Sequence, residues 1–115
     1  MTIATNQQKE NLAVAYGAQA LYASLHSADP GATGTSEISG GAPAYARKAL
    51  TWAAGTPDGV VTASATFDVP ASTATTHAGV WTAATAGTFL DKTTAAYASQ
   101  TAQGTLTVNF TFTQS

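Results

Sequence analysis

The sequence predicts a mostly β protein: an antiparallel two-sheet β-sandwich, jelly-roll or immunoglobulin-like, with one short N-terminal helix. Three observations predict it. Apolar residues recur with period two, most clearly at Val61, Ala63, Ala65, Phe67 and Val69 and again at Leu106, Val108, Phe110 and Phe112. Clusters of glycine, proline and aspartate punctuate these runs at short intervals. Only one segment has both helix-forming residues and a cap. No period of 20 to 50 residues recurs, which excludes solenoids and propellers. At 115 residues the chain is long enough for one core, and it divides into an N-terminal arm with a short helix over 1–20 and a single sandwich domain over 21–115.

The helix is predicted from Asn6 to Gly17. Thr5 or Asn6 caps it, Gln7, Gln8, Lys9 and Glu10 favour it, and Gly17 is placed to stop it. Leu12, Val14 and Tyr16 are its expected apolar contacts, Leu12 and Tyr16 sharing a face at i, i+4 spacing. Leu21 to His26 then reads as a strand with Leu21, Ala23 and Leu25 inward. A loop from Asp29 to Pro43 follows, since glycines 31, 34, 40 and 41 and prolines 30 and 43 interrupt both helix and strand. Tyr45 to Trp52 is predicted as a second strand, and Asp58-Gly59 as a turn that adopts positive φ. Val60 to Val69 is a strand ended by Pro70. Thr75 to Trp81 and Thr88 to Leu90 form a hairpin turning at Gly87, with Trp81 packed across it. Asp91 to Gly104 carries no clear period, and Thr105 to Thr113 is the clearest strand of all.

Composition narrows the function. Hydrophobic residues make up 44% of the chain, but many are alanines that bury little area. The core is therefore thin, and association with other subunits is expected to supplement it. Only 9% of residues are charged and the net charge is −2, with four Lys and Arg in all. That leaves no basic stripe for phosphates, so no nucleic-acid partner is expected. No apolar run reaches the ~20 residues of a spanning helix, and no membrane partner is expected. Met1 to Asn6 lacks the basic start and apolar centre of a secretory leader, so synthesis in a cytoplasm is expected. With no cysteine there are no disulfides, thiolate nucleophiles or thiolate metal sites. Asn109-Phe110-Thr111 fits a glycosylation pattern that has no secretory context here.

The residues that carry chemistry elsewhere are sparse. His26 lies near Ser24 and Ser27, and His77 follows Thr76, but no Gly-x-Ser-x-Gly elbow accompanies them. Both histidines with Asp29 or Asp68 do not make a metal-binding spacing. Paired carboxylates for glycoside cleavage would have to come from Asp29, Glu37, Asp58, Asp68 and Asp91, all of which sit at turns or strand ends. The glycine-rich loop follows neither phosphate-binding nor dinucleotide patterns. Arg47 and Lys48 face opposite ways on a strand, one of them poised to pair with Asp68 or Glu37. No catalytic, cofactor-binding or metal-binding residue is nominated. His26, Asp29 and Glu37 are read instead as fixing the exit and return of the long loop.

Three segments carry a resemblance: Ser24 to Gly31 (SLHSADPG), Glu37 to Trp52 (EISGGAPAYARKALTW) and His77 to Leu90 (HAGVWTAATAGTFL). In order and spacing they resemble a family of small virion proteins of tailed bacteriophages, especially those of actinobacterial hosts, labelled tail fibre or minor capsid proteins. The resemblance spans about Leu21 to Leu90. It implies a β-rich structural protein with no enzymatic activity, no cofactor and no small-molecule substrate. It also implies a place in the virion, after assembly in the host cytoplasm; the thin core adds the expectation of a homo-oligomeric state, with the major capsid protein or other virion proteins as partners. A fibre normally draws its length from repeats or heptads, and neither is present. The leading expectation is therefore a minor capsid or decoration protein that stabilises the phage head surface, gripping it through sheet edges and an arm over Met1 to Glu10. The alternative is a tail fibre or tail-tip component that binds host-surface glycans through Tyr45 and Trp81. A glycan hydrolase is a third class, dependent on the carboxylates above.

Overall fold

A computed structural model describes residues 2–114. The chain runs α1 (Asn6–Gly17), β1 (Tyr22–His26), β2 (Lys48–Ala49), β3 (Ala53–Ala54), β4 (Val60–Val69), β5 (Thr75–Trp81), β6 (Phe89–Tyr97) and β7 (Gly104–Thr113). Every pairing is antiparallel. Four strands form one sheet in the order β2-β1-β5-β6, and three form the other in the order β3-β4-β7. The core lies between them: Ala23, Leu25, Ala78 and Val80 from the first sheet meet Ala65, Phe67, Val69, Val108 and Phe110 from the second. The fold class is thus the mostly β sandwich with one short helix that the alternation predicts.

Periodicity translates directly into burial where a strand has one dry face. On β4, Val61, Ala63, Ala65, Phe67 and Val69 are buried while Thr62, Ser64 and Thr66 are exposed. β7 matches it residue for residue, from Val60 opposite Thr113 to Val69 opposite Gly104. Burying Phe67 alone contributes roughly 1.5–3 kcal/mol, so this ladder anchors the thin core. Gly59 takes φ +80 at the entry to β4, as the Asp-Gly turn requires.

Three elements differ from expectation. The helix has the predicted bounds, and Thr5 Oγ1 accepts the Gln8 N–H at 3.3 Å. Its inward face, however, is Glu10, Ala13 and Gly17, while Leu12 and Val14 are 41% and 44% exposed. Small residues win because they let the helix approach closely: a Cβ on Gly17 would sit 2.7 Å from Trp52 Cβ. Gly17 serves this approach and does not end the helix with a left-handed turn, which closes instead through Ala18 in the right-handed region. Of the predicted apolar contacts only Tyr16 turns inward, stacked on Phe112 with ring centroids 4.0 Å apart.

Secondly, the Tyr45 to Trp52 strand is replaced by two short ones. β2 pairs with β1 in the first sheet and β3 with β4 in the second, so the chain changes sheets between them. Leu50 and Trp52 lie at that crossing, Leu50 buried in the core and Trp52 partly buried against it. Thirdly, β6 extends to Tyr97 through the segment that showed no period. It is an edge strand, exposed along most of its length, so no alternation was needed to bury it.

Candidate functional site

The residues singled out for chemistry meet over the first sheet, where the 27–47 loop leaves β1 and returns. His26 and Glu37 bridge the base of this loop. Ser27 N–H donates to Ser36 O at 2.9 Å and Ile38 N–H to Leu25 O at 3.1 Å. The loop is thus held as a hairpin whose tip folds back on Trp81: a Cβ on Gly34, at φ +78, would overlap the Trp81 ring.

Beneath the loop runs a hydrogen-bond relay with one consistent polarity. His26 Nδ1–H donates to Thr35 O at 2.7 Å, because a carbonyl only accepts. Nε2 then accepts from the Ser24 hydroxyl at 2.7 Å, and Ser24 Oγ accepts the Trp81 Nε1–H at 2.9 Å. Ser24 and His26 are 0% exposed. Burial pushes the imidazole below its ordinary value, against the Thr35 hydrogen bond and the Glu37 charge. Gly79 makes room for the relay, since a Cβ there would lie 2.7 Å from Phe89 Cε1, 2.8 Å from Ser24 Oγ and 2.9 Å from His26 Nε2.

Beside the relay stands an ionic clasp. Arg47 grips Glu37 with two parallel bonds, Nε to Oε2 at 3.0 Å and Nη2 to Oε1 at 2.9 Å. Its Nη1 donates to Ala83 O at 3.0 Å and Ala86 O at 2.8 Å, tying in the loop between β5 and β6. Its guanidinium carbon lies 3.8 Å above the Trp81 ring, a cation–π contact. Tyr45 OH accepts the Leu25 N–H at 2.9 Å and donates to Glu37 Oε2 at 2.8 Å. Burial would raise the Glu37 carboxyl, but the bonds from Arg47 and Tyr45 and the Arg47 charge outweigh it and hold the group below the usual glutamate range. Burial and the Glu37 carboxylate both push the Tyr45 phenol upward. A groove of about 450 Å³ opens above the clasp, lined by Glu37, Ser39, Tyr45, Arg47, Thr85 and Ala86 among others.

Ser24 and His26 stand at the separation of a nucleophile and its base, yet what orients the imidazole is a backbone carbonyl, and with no exposed surface Ser24 Oγ offers a substrate no approach. His77 is the cross-strand partner of His26, and its Nδ1 lies 2.8 Å from Thr76 Oγ1. Among the described residues no three His, Asp or Glu side chains gather as a metal site would require. The carboxylates are dispersed over separate contacts: Asp29 with Lys92 at 2.7 Å, Asp68 with Lys48 at 4.0 Å, Asp91 with Tyr16 OH at 2.6 Å, and Asp58 with the Val60 N–H at 3.0 Å. One ion pair was expected from Arg47 or Lys48, with Asp68 or Glu37; both residues pair, Arg47 with Glu37 and Lys48 with Asp68. Trp81 is only 8% exposed and has Arg47 over its ring and Phe89 at its edge, so no face is free for a sugar. The parts of the cluster that single residues did not announce are the carbonyls of Thr35, Ala83 and Ala86 and the clearance at Gly34 and Gly79.

A sequence profile described as "Podophage GP4 fiber I protein gp80" matches residues 6–114. The chain belongs to the podophage GP4 fiber I protein gp80 family. The match runs from the start of α1 past the end of β7, well beyond the three segments that carried the resemblance, and so takes in both ends of the sandwich. Membership of the gp80 fibre family makes the chain a bacteriophage virion protein of structural type; it specifies neither an actinobacterial host nor a head-decorating role. No curated protein and no solved structure gives a significant match. No helix among the described residues is long and apolar enough to cross a membrane.

Proposed function

We propose that the chain is a non-enzymatic structural subunit of a phage tail fibre, holding its place by contacts with other virion proteins. The observation that carries this reading is the match of residues 6–114 to a fibre family, which spans the helix and both sheets. The geometry supports it: the histidine, serine, glutamate and arginine, residue types that serve chemistry elsewhere, join two loops to one sheet. The extents of 49 × 25 × 20 Å give an elongated building block even without heptads or repeats. This favours the fibre alternative over head decoration. Capture of glycans by Trp81 and Tyr45 has little support, because Trp81 is covered and the Tyr45 ring lies 6.2 Å from that of Phe67 in a stacked pair.

Gold-labelled antibody against the chain, applied to intact virions, should decorate the tail. Label confined to the head would return the decoration reading. Incubation with host cell-wall carbohydrate should yield no turnover. Turnover that disappears on changing one of the carboxylates would overturn the non-enzymatic reading.

A further inference from the structure

The outer strands of the two sheets are protected unequally. β6 takes one residue more than β5 at two points of their ladder, opposite Thr75–His77 and opposite Val80–Trp81, and it carries Asp91 and Lys92. Bulges and charges are the usual means of keeping an edge from pairing. β7 has neither. It follows β4 through an unbroken register and contains no charged residue and no proline. Among the described residues its one strand neighbour is β4, so its other edge has no described strand beside it. Gln114 N–H donates to Gly59 O at 2.8 Å, toward β4. Backbone groups alternate between the two edges of an antiparallel strand. Thr105, Thr107, Asn109, Thr111 and Thr113 therefore direct their N–H and C=O groups to the free edge, and their side chains are all exposed.

These residues form a chemical palindrome. From Thr105 to Thr113 the strand reads threonine, apolar, threonine, apolar, asparagine, apolar, threonine, apolar, threonine in either direction. We propose that β7 pairs with β7 of a second copy of this chain, antiparallel about a two-fold axis at Asn109, to make one six-stranded sheet from two three-stranded ones. The pairing places Thr105 opposite Thr113 of the second copy and Thr107 opposite its Thr111, hydroxyl beside hydroxyl, and brings no like charges together. It closes about ten ladder hydrogen bonds, two for each hydrogen-bonded pair, and as an isologous contact it ends at a dimer rather than a filament. The inference is independent of where on the particle the chain resides.

Sedimentation equilibrium of the full chain over rising concentration should show a monomer–dimer equilibrium. Asn109→Lys sets like charges opposite one another at the axis and should weaken association about five- to tenfold, and mixing it with Asn109→Glu should restore dimers. Thr93→Lys on β6 should leave association unchanged. Because the chain has no cysteine, Asn109→Cys should give a disulfide-linked dimer under mild oxidation, the paired Cα atoms standing about 5.5 Å apart. Thr105→Cys, whose two copies would lie about 27 Å apart, should not. The substituted positions are exposed, and circular dichroism verifies that each variant folds. A chain monomeric at all concentrations, equal cross-linking of both cysteine variants, or a Thr93→Lys effect as large as that of Asn109→Lys overturns the proposal.

Discussion

Arg47 holds four acceptor contacts with one side chain, two on Glu37 and one each on Ala83 O and Ala86 O. Replacing it with alanine leaves a half-buried carboxylate without its counter-charge, and two carbonyls lose a donor. Arg47→Ala should therefore cost about 2–4 kcal/mol in urea unfolding; a loss under about 0.5 kcal/mol would show that the loops hold without the clasp. The neighbouring titrations give stability a definite pH dependence. The folded His26 imidazole stays neutral below its ordinary value of 6.5, so the unfolded chain binds the proton first as pH falls. Stability is then full above about 6.5 and declines as pH drops through the depressed folded value. Glu37 acts in the same direction lower down, its contribution present above its ordinary 4.5 and lost as pH falls through the folded value. Thermal midpoints should be level from pH 7 to 9, fall below about 6.5, and fall more steeply below about 4.5. His26→Gln should abolish the first limb, and its persistence would assign that limb to another group. Much of this cluster was legible, because His26, Glu37 and Arg47 are rare residue types in a chain that is 9% charged. The carbonyls they bind were not, since a backbone acceptor leaves no mark on residue identity.

At the scale of elements, legibility followed burial. β4 and β7 each have a dry face and a wet one, and their alternation marked them out. β6 is wet along most of its length, so alternation said little about it. β1 was read as a strand with Leu21, Ala23 and Leu25 inward, but it is buried on both faces, and alternation did not announce that Ser24 and His26 are dry as well. The helix shows a subtler failure. Leucine and valine drew attention to Leu12 and Val14, whereas the contact is made by Ala13, Gly17 and a carboxylate, Glu10 Oε1, which accepts the Gly59 N–H at 3.0 Å and the Asp58 N–H at 3.3 Å. Two substitutions separate these views. Leu12→Ala should change stability by no more than about 0.5 kcal/mol, as an exposed position does. Glu10→Ala should cost about 1–3 kcal/mol, because two N–H donors lose their acceptor. If the Leu12 variant proves the more costly in chemical denaturation, the helix docks through a different face. Removing residues 1–10 would accordingly take Glu10 with them and loosen the sandwich as well as any outside contact.

Taken whole, the molecule is extended for its length: its radius of gyration is 15.2 Å, against roughly 13 Å for a compact chain of this size. Hydroxyls, rather than charges, keep much of its surface wet. The Glu37–Arg47 pair is largely shielded, with side chains 23% and 9% exposed, whereas Lys48–Asp68 and Lys92–Asp29 are more open to solvent and contribute little. Raising sodium chloride from 0.05 to 0.5 M should thus shift the thermal midpoint by less than about 2 °C, because screening reaches chiefly the exposed pairs; a larger fall would mean that surface charges contribute more than the pairs suggest.

The sheet order also sets a tempo. β1 pairs with β5, and β4 with β7, across intervals of some tens of residues, and no early hairpin can supply either contact. Closing such long loops before any ladder forms is entropically costly, which slows the search. Refolding from urea should accordingly take milliseconds to seconds. During that interval β7 presents both of its uncharged edges, and crowded nascent chains would have their greatest opportunity to pair wrongly. The strand proposed to join finished subunits is also the one most exposed to premature association.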